Sequence, residues 1–522
     1  MDTKTLIKMG HPTGECSSEL AEVSGGAIPV DTYGGRVHVE WDSQAAVTPL
    51  GQLPFFIDFL KTADLYERWV EDCPLAYRSN NAPKKRDVLG TLFLSILSGH
   101  WRYAHMTSIR YDTVNPGLLG MSRVVSEDSV RRAFIPVDEE ACAKWLGFHL
   151  DRCYGPLLYE PWIMDMDATV KPLYGHQEGA VVGYNPQKPG RPSHVYHTYW
   201  IANLRLVLDV EVQAGNQKAA SYAQPGLWRW IDRLPAGARP TFLRGDCDWG
   251  NESVMKQAEE RDLRYLFKLR KSAKVKKLLE EDLFWHRDWD RVGQGWEGVE
   301  TNLQLMGWTR SRRVIVLRRE VKGGLVHVDK KESRSMPRQL EFEFMETLEP
   351  AKTYEYAVLV TTLEEEIRTV AQHYRDRADV ENNFDELKNQ WGWGGYTTHD
   401  LKRCQILARC IGLIYNWWSL FVRLAIPHKH AEGITSRPLL LHGVAKQSRH
   451  GGQTTVTITS THGKTESVQR ILRSLMTFLF HIKANAEQLR WEERWRMILS
   501  RVFRYFLRGR SLRPPPLLPE RV

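Results

Sequence analysis

Five acidic residues in this 522-residue chain stand where type and spacing could support metal-assisted phosphodiester chemistry. In WIMDMDATV, Asp165 and Asp167 lie two apart, and because side chains alternate along a strand they share one face with Thr169. Two carboxylates so placed repel unless a cation, a proton or hydrogen-bond donors hold them. FLRGDCDWGNE repeats the arrangement with Asp246 and Asp248 at the end of a second strand-like run, where α/β proteins place functional groups. Taken alone, each pair also reads as a turn or cap device. Glu381, on a helical stretch, makes the set more specific. Mg²⁺ prefers a few carboxylates and keeps waters, and two such ions activate an attacking oxygen and stabilise the leaving one. Two strand aspartates and a helix glutamate meet that requirement.

The stretch YRDRADVENNFDELK, Tyr374 to Lys388, reads as one helix. At ~100° per residue, with Tyr374 at zero, Arg377 falls near ~300°, Glu381 near ~340° and Lys388 near ~320°. Val380, Phe384 and Leu387 cover the adjoining arc of ~220–280° and would seat the helix on a core with the polar stripe at its edge. A solvated face with i,i+4 charge pairs is the plain alternative. If the stripe is functional, Arg377 and Lys388 would meet phosphates, and Tyr374 would offer a ring or a hydroxyl.

The elements that must carry these residues follow from hydrophobic periodicity. Residues 1–50 are Gly-rich and weakly patterned. Helical spacing dominates residues 51–156, as in FFIDFLKTADLYERWV. Within it, SEDSVRRAF offers Ser126 as an N-cap and Arg131 and Arg132 on a short helix, either a helix-turn-helix-like DNA contact or an ordinary capped bundle helix. After Pro161 the pattern turns to strands with interleaved helices, predicting a mixed α/β sheet over 157–271 that resumes in YEYAVLVTT and spans 351–428. Between them, residues 272–350 read as a β-rich insertion through TNLQLMGW, RRVIVLRRE and LEFEFME. GGQTTVTITSTHGKT reads as a polar connector inside a basic, helical region over 429–507, and residues 508–522 as a Pro-rich disordered tail.

Composition narrows the class. Lys plus Arg number 72 against 63 Asp plus Glu, a net charge of +9, and from Glu466 onward there are 12 basic and 5 acidic residues, so 12 − 5 = +7 lies at that end. Eleven of the twelve are Arg, whose fork suits phosphate. Seven cysteines without a C-x-x-C pair argue for a reducing, cytosolic setting and against a zinc cluster or disulfide framework. No apolar signal-like run opens the chain, and the most apolar window, 408–426, carries Arg409, Asn416 and Arg423 and reads as a buried Trp-rich helix rather than a membrane span. Gly463-Lys464-Thr465 lacks the earlier glycine of a P-loop, the position being Ile458.

The order Tyr374, Arg377, Glu381, Lys388 resembles the Tyr-Arg-Glu-Lys signature of bacterial DDE insertion-sequence transposases. LYGHQEGAVVGYNPQKPGRPSH, after DMDAT, is similar to the segment following the first catalytic aspartate in one branch of that group, and RGDCDWGNE resembles the region of the second. The resemblance runs from about Leu92 to Leu424. It implies a ribonuclease H-like catalytic domain with a β-rich insertion before the glutamate, for which the 381 − 246 = 135-residue gap leaves room. It further implies Asp167, Asp246 and Glu381 as a catalytic, metal-binding triad and Tyr374, Arg377 and Lys388 as contacts to the transposon end. Asp167 is preferred because Ala168-Thr169 follows it, as in the family. Asp165 is then an acid behind the ligands and Asp248 a rival of Asp246, since the family's second aspartate is usually followed by other residues.

Further implications are two Mg²⁺ ions, replaceable by Mn²⁺, and double-stranded DNA as partner, both the inverted-repeat ends and a target. A homodimer on paired ends in the bacterial cytoplasm, and no membrane partner, complete the expectation. Relatives often form a hairpin with a base flipped against aromatic side chains, for which Trp285, Trp289, Trp296 and Trp308 are candidates, although each is equally readable as core. A Mg²⁺-dependent nuclease of the same fold and a non-catalytic DNA-binding derivative are the alternatives.

Overall fold

The computed structural model describes residues 27–77, 79, 81–282, 288–320, 354–428, 430–459 and 462–514. They belong to two compact units, residues 1–46 and 47–522. In the first, β1 (Ile28–Thr32) and β2 (Gly35–Val39) pair as an antiparallel hairpin. Gly35 takes φ +110° in its turn, and Arg36 donates to Asp31 at 2.8 and 3.1 Å. The weak patterning of residues 1–50 therefore conceals a hairpin, whose strands are exposed on both faces and need no apolar alternation.

The second unit opens with β3 (Val47–Thr48) and six helices: α1 (Leu53–Thr62), α2 (Tyr66–Asp72), α3 (Lys85–Leu97), α4 (Asn115–Leu118), α5 (Glu127–Ala133) and α6 (Glu139–Tyr154). Ser126 caps α5 by accepting the Ser129 N–H, as its sequence predicts, and both helix arginines pair with Asp128 one turn back.

The sheet then forms from β4 (Ile163–Pro172), β5 (Val181–Val182), β6 (Pro192–Ile201), β7 (Leu206–Ala214), β8 (Phe242–Gly245) and β9 (Tyr265–Lys268), with α7 (Ala220–Asp232), α8 (Glu252–Glu260) and α9 (Ala273–Lys277) interleaved. Strands β10 (Asp290–Gly293), β11 (Trp296–Leu303), β12 (Arg312–Glu320) and β13 (Tyr354–Thr361) follow. The antiparallel meander β4–β6–β7 has β8 and then β9 added in parallel beside β4, while β13, β12, β11 and β10 continue the same sheet antiparallel beyond β9. The β-rich stretch is thus an extension of the central sheet. Its expected strand LEFEFME lies outside the described residues.

Helices α10 (Ile367–Arg375), α11 (Ala378–Gln390), α12 (Leu401–Ala425) and α13 (Gly433–Leu440) come next, then a hairpin of β14 (Ala445–His450) and β15 (Gln453–Ile458), and α14 (Thr465–Ala484) and α15 (Trp491–Val502). The expected polar connector supplies β15, and β14 also pairs with β3. Residues 515–522 of the expected tail lie outside the described residues.

Helix α12 organises the core. Its Trp417 and Trp418 meet Trp69 and Phe56 edge-on at 5.7 and 5.1 Å, and Phe421 adds a further ring against Phe56. The same helix crosses the free edge of β7. Buried Asn416 accepts the Val207 N–H at 2.9 Å and donates to the Val207 carbonyl at 2.7 Å, and Gln405 does likewise for Val212 N–H and Val210 C=O, both at 2.6 Å. Side-chain amides thus stand in for a neighbouring strand and close an edge that would otherwise pair with another chain. Among the described residues no helix is long and apolar enough to cross a membrane. Asn416→Leu keeps the size but strands two buried backbone groups, so a loss of about 2–4 kcal/mol is expected in denaturant unfolding.

Candidate functional site

The acids expected to act together come from three elements that meet where β8 ends beside the middle of β4. A cleft of about 430 Å³ is lined by Asp167 and Thr169 of β4, Asp246 just past β8, Arg377, and Glu381, Asp385, Lys388 and Asn389 of α11, with Gln187 from the β4–β6 connection. Alternation along β4 puts Met164 and Met166 into the main core and leaves Asp165 and Asp167 on the other face.

The structure separates the members of each aspartate pair. Asp165 is fully buried and receives the guanidinium of Arg244, its neighbour across the parallel β4–β8 register, through Nε at 2.5 Å and Nη2 at 2.6 Å. Both its oxygens are taken, and it does not line the cleft. Asp246 lines the cleft and accepts the Asp248 N–H at 2.9 Å, whereas the Asp248 carboxylate turns to Arg270. The turn carrying Asp246 is tight: a Cβ on Gly245 would come within 2.8 Å of the Trp249 ring.

The 374–388 segment is two helices rather than one. Residues 376 and 377 form a turn in which Arg377 N–H reaches Tyr374 C=O and Val380 N–H reaches Arg377 C=O, i→i+3 bonds of the 3₁₀ type. Such bonds advance ~120° per residue, so Tyr374 and Arg377 come nearly into line instead of ~60° apart. Tyr374 falls outside the cleft lining; its ring packs against the second apolar cluster with Phe242, Val292 and Val370. Burial first, with nearby Asp246 and Asp167 adding, pushes its hydroxyl up to about 12. Arg377 enters the cleft and donates to Asp167 at 2.5 Å.

Asp167 is the electrostatic centre. Burial is the largest influence on it and disfavours its charge; Arg377 and the Ala168 N–H, at 2.7 Å, pull the other way, and Asp246 and Asp165 add repulsion, leaving the carboxyl at about 6 against an ordinary 3.8. Burial likewise lowers the Lys388 ammonium, opposed by Asp385 and Asp167. The cleft lining carries four carboxylates, Asp167, Asp246, Glu381 and Asp385, against two cations, Arg377 and Lys388. The oxygen-only donors Asp167, Asp246 and Glu381 suit a hard divalent cation such as Mg²⁺ or Mn²⁺. Among the described residues, however, no three acidic, His or Cys side chains are gathered closely enough to hold one ion as they stand, and Glu381 is exposed at the rim.

Helix α11 is fixed from behind. Buried Glu386 accepts from His430 at 2.9 Å, Trp391 Nε1 at 3.1 Å and the Gly433 N–H at the start of α13 at 2.9 Å. The cleft residues Gln187, Asp385 and Asn389 were not singled out from sequence. Asp385 and Asn389 follow Glu381 at i+4 and i+8, a signal that helical spacing could have supplied; Gln187 carried none. Trp289, Trp296 and Trp308 face Arg318, Arg319 and Arg312 at 3.9, 4.9 and 5.2 Å within the sheet extension, and Trp285 lies outside the described residues.

The chain belongs to the transposase DDE domain group 1 family, whose sequence profile matches residues 156–478. That span includes every acid of the cleft. No curated protein sequence matches the chain. Among solved structures, the cryo-EM structure of a piggyBac transposase synaptic complex with hairpin DNA aligns over 88% of this chain and 87% of that one, with 10% identity and a TM-score of 0.37.

The Asp167 carboxyl generates a pH prediction for metal-free protein. Its folded pKa lies above the unfolded value, so folding favours the protonated form, and its ionisation subtracts stability as pH rises from about 3.8 to about 6. Unfolding free energies of wild type and Asp167→Asn, measured with chelator present, should therefore diverge across that window in favour of the variant and run parallel above it.

Proposed function

We propose that the chain is a cut-and-paste DNA transposase that binds the inverted-repeat ends of its own element, nicks them with water and joins the freed 3′-hydroxyl to target DNA. The observation carrying this reading is the single cleft that gathers Asp167, Asp246 and Glu381 with Arg377 and Lys388. Family membership supports the transposase class, and the meander β4–β6–β7 with parallel β8 and β9 beside its first strand supports a ribonuclease H-like catalytic core. The Tyr-Arg-Glu-Lys spacing supports placement in the group bearing that signature.

Asp167, Asp246 and Glu381 are the proposed ligands of two Mg²⁺ ions, or Mn²⁺ in their place. Bound there, the metal would make water a better nucleophile and neutralise charge on the scissile phosphate. Arg377, held against Asp167, is positioned to exchange that carboxylate for a phosphate oxygen. Lys388 adds a second cation for the same strand, and Tyr374, whose carbonyl accepts the Arg377 N–H, anchors the turn that carries Arg377. Two ends must be joined, so a homodimer on paired DNA ends is proposed, with the basic C-terminal region as its contact segment and the bacterial nucleoid as its setting.

A strand-transfer assay with the flanking repeats tests the reading. Asp167→Ala and Glu381→Ala should each lower cleavage and joining at least about 1,000-fold, because metal stabilisation of phosphoryl charge is worth several kcal/mol. Unchanged products would sink the triad assignment, and cleavage without joining in wild type would identify a nuclease instead. Lys388→Ala should weaken DNA binding across sequences and reduce the slope of log K against log salt by about 1.

A further inference from the structure

The connection between β4 and β6, residues 173–191, borders the cleft, and most of its surface is unused by the proposed triad. It is built to hold its shape. Buried Asn185 accepts the Lys188 N–H at 3.0 Å, Pro186 and Pro189 restrict the backbone, and Gly183 packs so tightly that a Cβ there would lie 1.8 Å from the Gly215 carbonyl oxygen. From this frame Tyr174 and Tyr184 project with 68% and 60% of their surface exposed. Each ring carries a cation. Arg191 stands 4.8 Å from the Tyr174 centroid and Lys218 3.8 Å from that of Tyr184, while Lys188 donates to the Tyr174 hydroxyl at the tip of its ring.

These pairs differ from the tryptophan stacks of the sheet extension. There, Arg318 is neutralised by Glu297 at 2.8 Å, Arg319 by Glu355 at 2.5 Å and Arg312 by Glu252 and Glu259 at 2.6 and 2.8 Å. Among the described residues, Lys188, Arg191 and Lys218 have no carboxylate partner within ion-pair distance. A cation held by a ring or a phenol hydroxyl keeps its full charge, so this surface offers exposed tyrosines and net positive charge together. Gln187 of the same loop lines the cleft beside Asp167 and Thr169.

A strand alternating phosphates with flat bases matches that surface. Bases inside a duplex have both faces covered by their neighbours, so only unpaired nucleotides can use the tyrosine rings. We propose that residues 173–191 form a stacking platform for unpaired nucleotides adjoining the scissile phosphate; the identity of that strand rests on the transposase reading above. Tyr174 and Tyr184 stack bases, while Lys188, Arg191 and Lys218 meet the backbone.

Fluorescence anisotropy with the full-length chain in chelator tests the proposal, using a blunt duplex and the same duplex bearing a single-stranded thymidine overhang. Wild type should prefer the overhang probe. Tyr174→Ala and Tyr184→Ala should each weaken binding to it about 5- to 100-fold, the range for one stacked base, with blunt-duplex binding and the thermal midpoint unchanged. Tyr→Phe at either position should retain the preference, and Lys188→Ala and Arg191→Ala should reduce the salt dependence. Lack of overhang preference in wild type, or equal losses on both probes, would overturn the platform. Overhang preference in a protein that cannot cleave would overturn the transposase reading and leave the platform standing; cleavage without the preference would do the reverse.

Discussion

The guanidinium of Arg244 holds the site together. It fills both oxygens of Asp165 from the neighbouring strand and uses a third donor on the carbonyl of His373 near the end of α10. Asp167 lies two residues beyond Asp165, Asp246 two beyond Arg244 and Arg377 four beyond His373, so one planar fork sets the mutual positions of three elements. A buried ion pair adds little net stability compared with an apolar pair of similar size, yet losing one partner leaves an uncompensated charge. The contribution here is geometric. Lysine could not replace it, because a point charge does not fix two strands and a helix end in one plane.

That bond also determines which charge remains open. With Asp165 consumed by Arg244 and Asp248 by Arg270, each aspartate pair divides into one member that supports the backbone and one that faces the cleft. The cleft members then share a single close guanidinium, and Asp167 is raised chiefly by burial, with repulsion from Asp246 and Asp165 adding to it. A site with its acids already neutralised would have little affinity for a further cation; this one retains demand for positive charge.

Period-2 alternation was enough to read the shared face of Asp165, Asp167 and Thr169, and period-3.6 spacing enough to bring Glu381 and Lys388 to one side of a helix. Periodicity alone left Asp165 and Asp167 equal, and only the family resemblance preferred Asp167; the physical difference lies in the parallel register that sets Arg244 opposite Asp165, a contact between residues 79 apart in the chain. The break at Asp376 and Arg377 was not legible, since neither glycine nor proline marks it and both residues keep right-handed helical angles. The hairpin formed by β14 and β15 escaped because its exposed, polar strands bury too little to impose alternation. Strand character in the extension was readable from RRVIVLRRE, but its attachment beside β9 depends on long-range pairing that no local pattern encodes.

Helix α11 shows how a rigid scaffold can carry an open side chain. Its rear face is tied to α13 through Glu386, and the loop after it is tied to β4 because buried Lys171, four residues beyond Asp167, donates to the Gly395 carbonyl. Among the described residues Lys171 has no acid partner, and burial lowers its pKa to about 8; its hydrogen bond joins this loop to the strand. Anchored at both places, the helix backbone keeps Glu381 and Lys388 in register with Asp167, while Glu381 itself is exposed. Closing the acids around an ion would then require rotation of side chains on fixed backbones, chiefly Glu381 and Arg377. Side-chain rotation is fast and adaptable, whereas the spacing of the backbones that carry the acids sets the geometry any reaction here would use.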